Sequence, residues 1–334
     1  MRHFFQKNAK ILFVCFLILF TCTACSSPRA KDGRTKVDQI IASETVQIKK
    51  SEVNTTEISN QKLKKKYAKL DDNDMITIQP TSFSEAFDNG WFEGLIVWPL
   101  AQLINKVSAS TDAGIGILVV TVLIQLLVFA LTGKSQMASQ RMQEIQPELQ
   151  AIQNKYRGRT DEASQMKMYR ETQALYQKYD IHPFGTILIT FIQLPIMMGM
   201  YYATIRSYNV LVGSFMGVNL STTPMEGIQS LNVAIIAIYV LMVVAQLVSF
   251  RLPTWLKKRQ EEKDHVKKHE YRQENKENNM QSSMNMYMYT MTIMFAFIYL
   301  NWPTAMSFYW CVTSLFRIIQ NIILHHAMNK VKTA

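Results

Sequence analysis

The stretch "TVLIQLLVFALTGKSQ", residues 121–136, decides the class of the fold. It is apolar enough to lie in lipid, yet it carries one amide, Gln125, well inside and breaks abruptly at Lys134 into a polar segment. An amide in hydrocarbon needs a partner at its own depth, so its meaning depends on what the other apolar runs of the chain hold at that level.

There are four more such runs. Candidate spans fall at 113–132, 184–205, 231–250, 285–302 and 304–324, each close to the ~20 residues that cross a ~30 Å hydrocarbon core. The last two are separated by little more than "NWP" and form a tight hairpin. With 334 residues, 48% of them hydrophobic, and a net charge of +11, the chain is too apolar for a basic soluble domain. Apolar blocks alternating with charged ones describe an all-α polytopic membrane protein.

Lys and Arg set the orientation. The segments 134–182 and 251–283 are rich in both, whereas 206–230 has only Arg206 and "NWP" has none. The two basic segments are therefore cytoplasmic, with the mature N-terminus outside and the C-terminus inside.

The chain opens on an address. "MRHFFQKNAK" is a positive n-region, "ILFVCFLILF" an h-region too short to span comfortably, and "TCTACSS" places small residues around Cys25. This reads as a bacterial lipoprotein signal, 1–24, with Cys25 as the lipidation site; an uncleaved anchor and ordinary secretory cleavage are the alternatives. Removing 1–24 takes three basic and no acidic residues from the +11, leaving +8. Cys15 and Cys22 leave with the signal and Cys25 is acylated, so only Cys311 stays free and no intrachain disulfide is available.

Residues 25–80 read as a solvated extracytoplasmic tether, polar and without periodicity. Residues 81–110, with Trp91, Phe92, Leu95, Ile96 and Trp98, read as an amphipathic helix in the outer interface, interrupted near Pro99. The core runs from 111 to 327, followed by a short basic cytoplasmic tail, 328–334. Within the core, Met142, Ile145, Leu149, Ile152 and Tyr156 step by three and four, and Met166, Tyr169, Tyr176 and Tyr179 follow after "RGRTDE". Two such amphipathic helices make an antiparallel cytoplasmic hairpin over 134–180, in which Pro147 bends the first arm. The second cytoplasmic loop, 251–283, has charge of both signs and little apolar stripe.

The depths of the polar groups coincide. At a rise of 1.5 Å per residue, Gln125 lies about 18 Å from the outer edge, Gln246 about 22 Å and Arg317 about 21 Å, and Gln193 about 14 Å from the inner edge. Four spans thus place an amide or guanidinium just on the cytoplasmic side of the midplane. The layer is either a clasp between helices or a wet cavity for something polar. Arg317 favours the cavity, because no Asp or Glu lies in any span to neutralise it.

The order of segments resembles the YidC family of membrane protein insertases. The motifs "MQEIQPELQAIQNKY" (142–156), "ETQALYQKYDIHPFGTILITFIQLPIMMGMYYA" (171–203) and "WPTAMSFYWCVTSLFRIIQ" (302–320) carry the likeness, with Thr304, Ala305, Met306 and Phe308 as departures from the family's pattern near the end. The resemblance implies a membrane insertase and folding chaperone with five transmembrane helices around a hydrophilic groove in the inner half of the membrane. A client's polar tail or loop enters the groove while its apolar segment slides into lipid, with no nucleotide or metal. It implies nascent membrane proteins as partners, with ribosome and Sec translocon contacts, membrane lipids around it, no nucleic-acid recognition and a monomer as the working unit.

Groove positions carried over by motif are Gln246 and Trp310. The family usually has an Arg in the first span where this chain has Gln125. Arg317, two turns beyond Trp310, either supplies that charge from the opposite wall or snorkels to the inner headgroups. A channel or transporter using the same polar layer is the alternative function; an intramembrane carboxylate and an inverted repeat are both missing from the sequence. An enzyme is disfavoured, since no nucleophile elbow, zinc helix or phosphate loop appears. His182, before a Pro at the start of the second span, reads as a cap or a solvent-facing group.

Overall fold

The computed structural model describes residues 27–58, 60–181, 184–263 and 280–333. The signal segment 1–24, Cys25, His182 and the centre of the second cytoplasmic loop lie outside the described residues. The chain divides into two compact units, one of residues up to 117 together with 196–221, the other of 118–195 together with 222–334.

In the first unit the expected solvated tether is folded. Strands β1 (Val46–Lys49) and β2 (Met75–Ile78) pair antiparallel, with Val46 opposite Ile78 and Lys49 opposite Met75. Between them lies helix α1 (Gln61–Tyr67), whose N-terminal amides of Lys62 and Leu63 are capped by the Asn60 side chain. Strand alternation turns Ile48, Ile76 and Ile78 inward onto Val37, Ile40, Val53, Ile58 and Tyr67, a small core of its own. The polar composition concealed it because these apolar residues are spread singly among Lys, Thr and Asp.

Helix α2 (Phe83–Asp88) starts on a capping box of Ser82 and Glu85 and ends at Gly90, whose φ of 141° is open to glycine. The chain then runs through a π-turn, Glu93–Val97, straight into α3 (Trp98–Ser110). Pro99 therefore does not interrupt this helix. It sits in the first turn of α3, and the widened turn before it absorbs the hydrogen bond that its missing N–H cannot make.

The first unit also contains the last turns of α7 (Phe184–Arg206) and short α8 (Tyr208–Val212). Here the N-terminal segment caps a helix. The orphan carbonyls at the end of α7 are taken by the Thr35 hydroxyl, bound to Ile205 O at 2.9 Å, and the Ile41 amide, bound to Arg206 O at 2.7 Å. Asn105 of α3, 1% exposed, is the hub of this junction. Its Nδ2 donates to Ile41 O at 2.8 Å, and its Oδ1 accepts from the Ser207 hydroxyl at 2.6 Å and the Asn209 amide at 3.1 Å. The Arg206 guanidinium, also buried, pairs with Glu93 at 2.6 Å and donates through Nε to Gln39 O. A buried ion pair so well bonded is costly to break on one side.

The second unit is helical. Helix α4 (Ala113–Glu144) continues beyond the expected end at 132 and carries the chain through Lys134; after a break at Ile145, α5 (Gln146–Lys155) follows with Pro147 in its first turn. Helix α6 (Glu162–Lys178), capped by Asp161, returns against α5. Ile145, Leu149, Leu175 and Ile181 form the core between these helices. Outside it, Glu171 joins Lys155 and the Tyr156 hydroxyl, and Glu148 joins Lys178 and the Tyr179 hydroxyl. The Lys155 ammonium bonded to Glu171 holds that carboxyl below its ordinary range, and Tyr156 adds to the effect.

After α9 (Pro224–Gln229) come α10 (Val233–Lys263), α11 (Met280–Tyr299) and α12 (Thr304–Thr333). The basic tail is thus a continuation of α12, and α10 runs through Pro253 into the second basic segment. Among the described residues three helices, α4, α10 and α12, are long and apolar enough to cross a membrane. Helices α7 and α11 occupy the expected second and fourth positions. The exposed side chains fit lipid: Leu123, Leu126, Leu127 and Leu131 on α4, Val240, Leu241, Val244 and Val248 on α10, and Leu315, Ile319 and Ile323 on α12 are each at least 46% exposed.

Candidate functional site

Gln125 faces away from the leucines that α4 turns outward. It is 5% exposed and shares one helix face with Thr121, Val128 and Thr132, all buried. The face continues downward as a polar seam. Gln136 Nε2 donates to the Thr132 hydroxyl at 2.8 Å, and Gln140 Nε2 donates to Asn321 Oδ1 at 3.0 Å. Higher up, Gln125 Nε2 reaches the Thr313 hydroxyl at 3.4 Å, a long contact.

Helix α12 presents the complementary face. Tyr309, Thr313 and Arg317 recur every four residues, with Ser314 and Gln320 buried beside them. The Tyr309 hydroxyl is completely buried and makes no well-aligned hydrogen bond. Its polar neighbours are Thr313, Arg317 and Gln193 of α7. Arg317 is half-buried and, among the described residues, has neither an ion pair nor a hydrogen bond. Three of the five expected groove residues, Gln125, Gln193 and Arg317, are thus linked through two residues that the sequence reading passed over, Tyr309 and Thr313. The four-residue spacing 309–313–317 was the available signal.

Gln246 sits half-buried on α10, next to the face formed by Met242, Ala245 and Ser249. Helix α10 packs closely along α12. Trp310 is placed differently. It is 8% exposed and stacks on Tyr299 at 3.7 Å between ring centroids and on Trp302 at 5.4 Å, so its ring is packed into the α11–α12 turn. That turn is fixed by the Met225 amide on Leu300 O and by Thr304, whose amide and hydroxyl both donate to Thr222 O.

At the other end of the seam a small open cleft is lined among others by Gln140, Lys257, Asn321 and His325. Lys257 Nζ donates to Glu144 O there at 3.0 Å. Among the described residues no cluster of His, Cys, Asp and Glu could hold a metal ion.

The family model described as 60Kd inner membrane protein matches residues 104–331, which include this whole arrangement. The chain belongs to the YidC family. Within that family it is 30% identical over 238 residues to Membrane protein insertase YidC 1 of Streptococcus pyogenes serotype M1, covering 71% of this chain and 75% of the relative. It is 30% identical over 236 residues to Membrane protein insertase MisCA of Bacillus subtilis strain 168, covering 70% and 79%. With Membrane protein insertase YidC of Alkalihalophilus pseudofirmus it shares 29% over 255 residues, covering 76% and 88%. The YidC-family model begins at residue 104, so the folded N-terminal segment lies outside it.

Proposed function

We propose that the protein is a membrane protein insertase of the bacterial plasma membrane, in which α4, α7, α10, α11 and α12 all cross the bilayer. The N-terminus, lipidated at Cys25, lies outside and the end of α12 inside. The polar layer of Gln125, Gln193, Gln246 and Arg317 lines an inner-leaflet groove, with Tyr309 and Thr313 joining its walls and Trp310 bracing the outer turn.

The observation that carries this reading is a cation, Arg317, in the polar cluster with no carboxylate partner among the described residues. A central Arg costs about 2.5–3.5 kcal/mol on insertion scales. A clasp would relieve that cost with an internal partner; a receiving site leaves it for the client. Arg317 lies near the buried Tyr309 hydroxyl, which supports a guanidinium turned into the cluster rather than to the headgroups.

The energetics close without fuel. Each Leu, Ile, Phe or Val returns about 0.3–0.6 kcal/mol at the bilayer centre, so an apolar client segment of ~20 residues supplies on the order of 6–12 kcal/mol. Carrying one acidic side chain through costs about 3 kcal/mol, and the groove lowers even that by sharing the desolvation between water, amides and Arg317. The α5–α6 hairpin receives clients or their targeting machinery, and ribosome and Sec translocon contacts belong to the same reading.

The test is insertion of a short single-span client with an acidic N-tail into liposomes holding the purified protein. Insertion above empty liposomes is expected. Absent insertion, with solute or ion flux instead, would replace this reading by a channel or transporter.

A further inference from the structure

Helix α1 has two faces of opposite character. Leu63, Tyr67 and Leu70 pack on the small N-terminal core. Lys62, Lys65 and Lys66 of the helix, and Lys69 of the turn that follows it, recur at i, i+3, i+4 and i+7 away from that core, with Lys64 also outward, and all five are exposed. Among the described residues none of these lysines has an ion pair. Two acids of the following turn are engaged locally: Asp74 accepts the Asp71 amide at 2.8 Å, and Asp72 pairs with Lys50 at 3.7 Å. Like charges at this spacing repel one another along a helix, so the stripe costs stability in water unless an anionic surface neutralises it.

The same unit carries a second feature suited to a lipid surface. Phe83, Phe87, Trp91 and Leu95, from α2 through the π-turn, are 45–56% exposed, an apolar and aromatic set of the kind that sits at headgroup level. A basic stripe in a unit that also carries an interfacial aromatic band is matched in charge by lipid phosphates.

We infer that α1 is a headgroup-binding face, which seats the N-terminal unit on the phosphates of anionic phospholipid. This rests on the protein being a membrane protein, though not on which leaflet α1 meets nor on insertase activity.

The test uses the full chain in nanodiscs of phosphatidylcholine, alone or mixed with phosphatidylglycerol. Both disc faces are open to reagent, so a wrong topology would not mimic a wrong α1 assignment. Acetylation rates of Lys62, Lys65, Lys66 and Lys69 are read by mass spectrometry against exposed Lys31. Slowing of about fivefold in the anionic discs is expected, since each lysine gains about that factor near such a surface. High salt should erase it. Soluble polyphosphate added to the phosphatidylcholine discs should leave the rates unchanged. Equal rates in the two discs would overturn the inference, and protection by polyphosphate as strong as by lipid would reassign the stripe to a soluble polyanion. In a Lys62/Lys65/Lys66/Lys69→Gln variant, amide exchange across α1 should no longer differ between the discs; a lipid effect that persists would also overturn it.

Discussion

Replacing Asn105 by alanine tests the junction that binds the N-terminal segment to the end of α7. The change removes three side-chain hydrogen bonds at once, to Ile41 O, the Ser207 hydroxyl and the Asn209 amide. Their losses are unequal. Ile41 O keeps the Tyr208 amide at 3.1 Å, and Asn209 is only half-buried. Ser207 is 0% exposed and loses its acceptor outright. One stranded group at about 1–3 kcal/mol, with a fraction of that for each of the others, gives roughly 2–4 kcal/mol. If the junction opens locally, hydrogen exchange of the Ile41 and Tyr208 amides should accelerate by about 30- to 900-fold. The α5–α6 hairpin amides serve as the internal control. Unchanged exchange at Ile41 and Tyr208 in a folded Asn105→Ala protein would refute the hub, because both amides bond across this junction.

Other perturbations follow from the same geometry. Leu127→Arg puts a charge on the outward face of α4, at a cost of about 2.5–3.5 kcal/mol on insertion scales, so membrane-integrated yield should fall while Leu127→Phe leaves it unchanged. Trp310→Ala empties a buried aromatic stack and should destabilise by about 3–5 kcal/mol, read as a lowered thermal midpoint in detergent; an unshifted midpoint would deny its packing role. The Glu171 carboxyl is held low by Lys155, so its contribution to the hairpin is present above the ordinary carboxylate pKa and lost as pH falls through the depressed one. Exchange protection of α5 and α6 should therefore drop only below about pH 4, and Glu171→Gln should remove that part of the pH dependence.

The long apolar helices were legible because their signal is local: about twenty apolar residues in a row need no knowledge of their neighbours. So was the hairpin, whose stripe from Met142 to Tyr156 is periodic within a single segment. The N-terminal fold was not. Its strands are four residues long, and the pairing of Ile41 with Ser207 joins positions that only the folded chain brings together. Pro99 misled for a different reason, since the sequence shows the missing donor but not the π-turn that accommodates it. At the candidate site the depth count named Gln125, Gln193 and Arg317, which the fold brings near one another. It could not find Tyr309, because a tyrosine beside Trp310 reads as one more interfacial aromatic until its hydroxyl is seen buried against Thr313 and Gln193. Trp310 itself was carried by motif alone, and motif does not tell a wall from a brace.

The most direct measurement compares liposome insertion of the acidic-tailed client by wild type, Arg317→Ala and the swap Gln125→Arg/Arg317→Ser, each folded by its thermal midpoint. Helices α4 and α12 already meet through Gln125 and Thr313, so a charge moved from one to the other stays in the same polar cluster. The account predicts that Arg317→Ala loses most insertion and that the swap restores it. Full insertion by Arg317→Ala would contradict it and leave a groove that works by hydration alone.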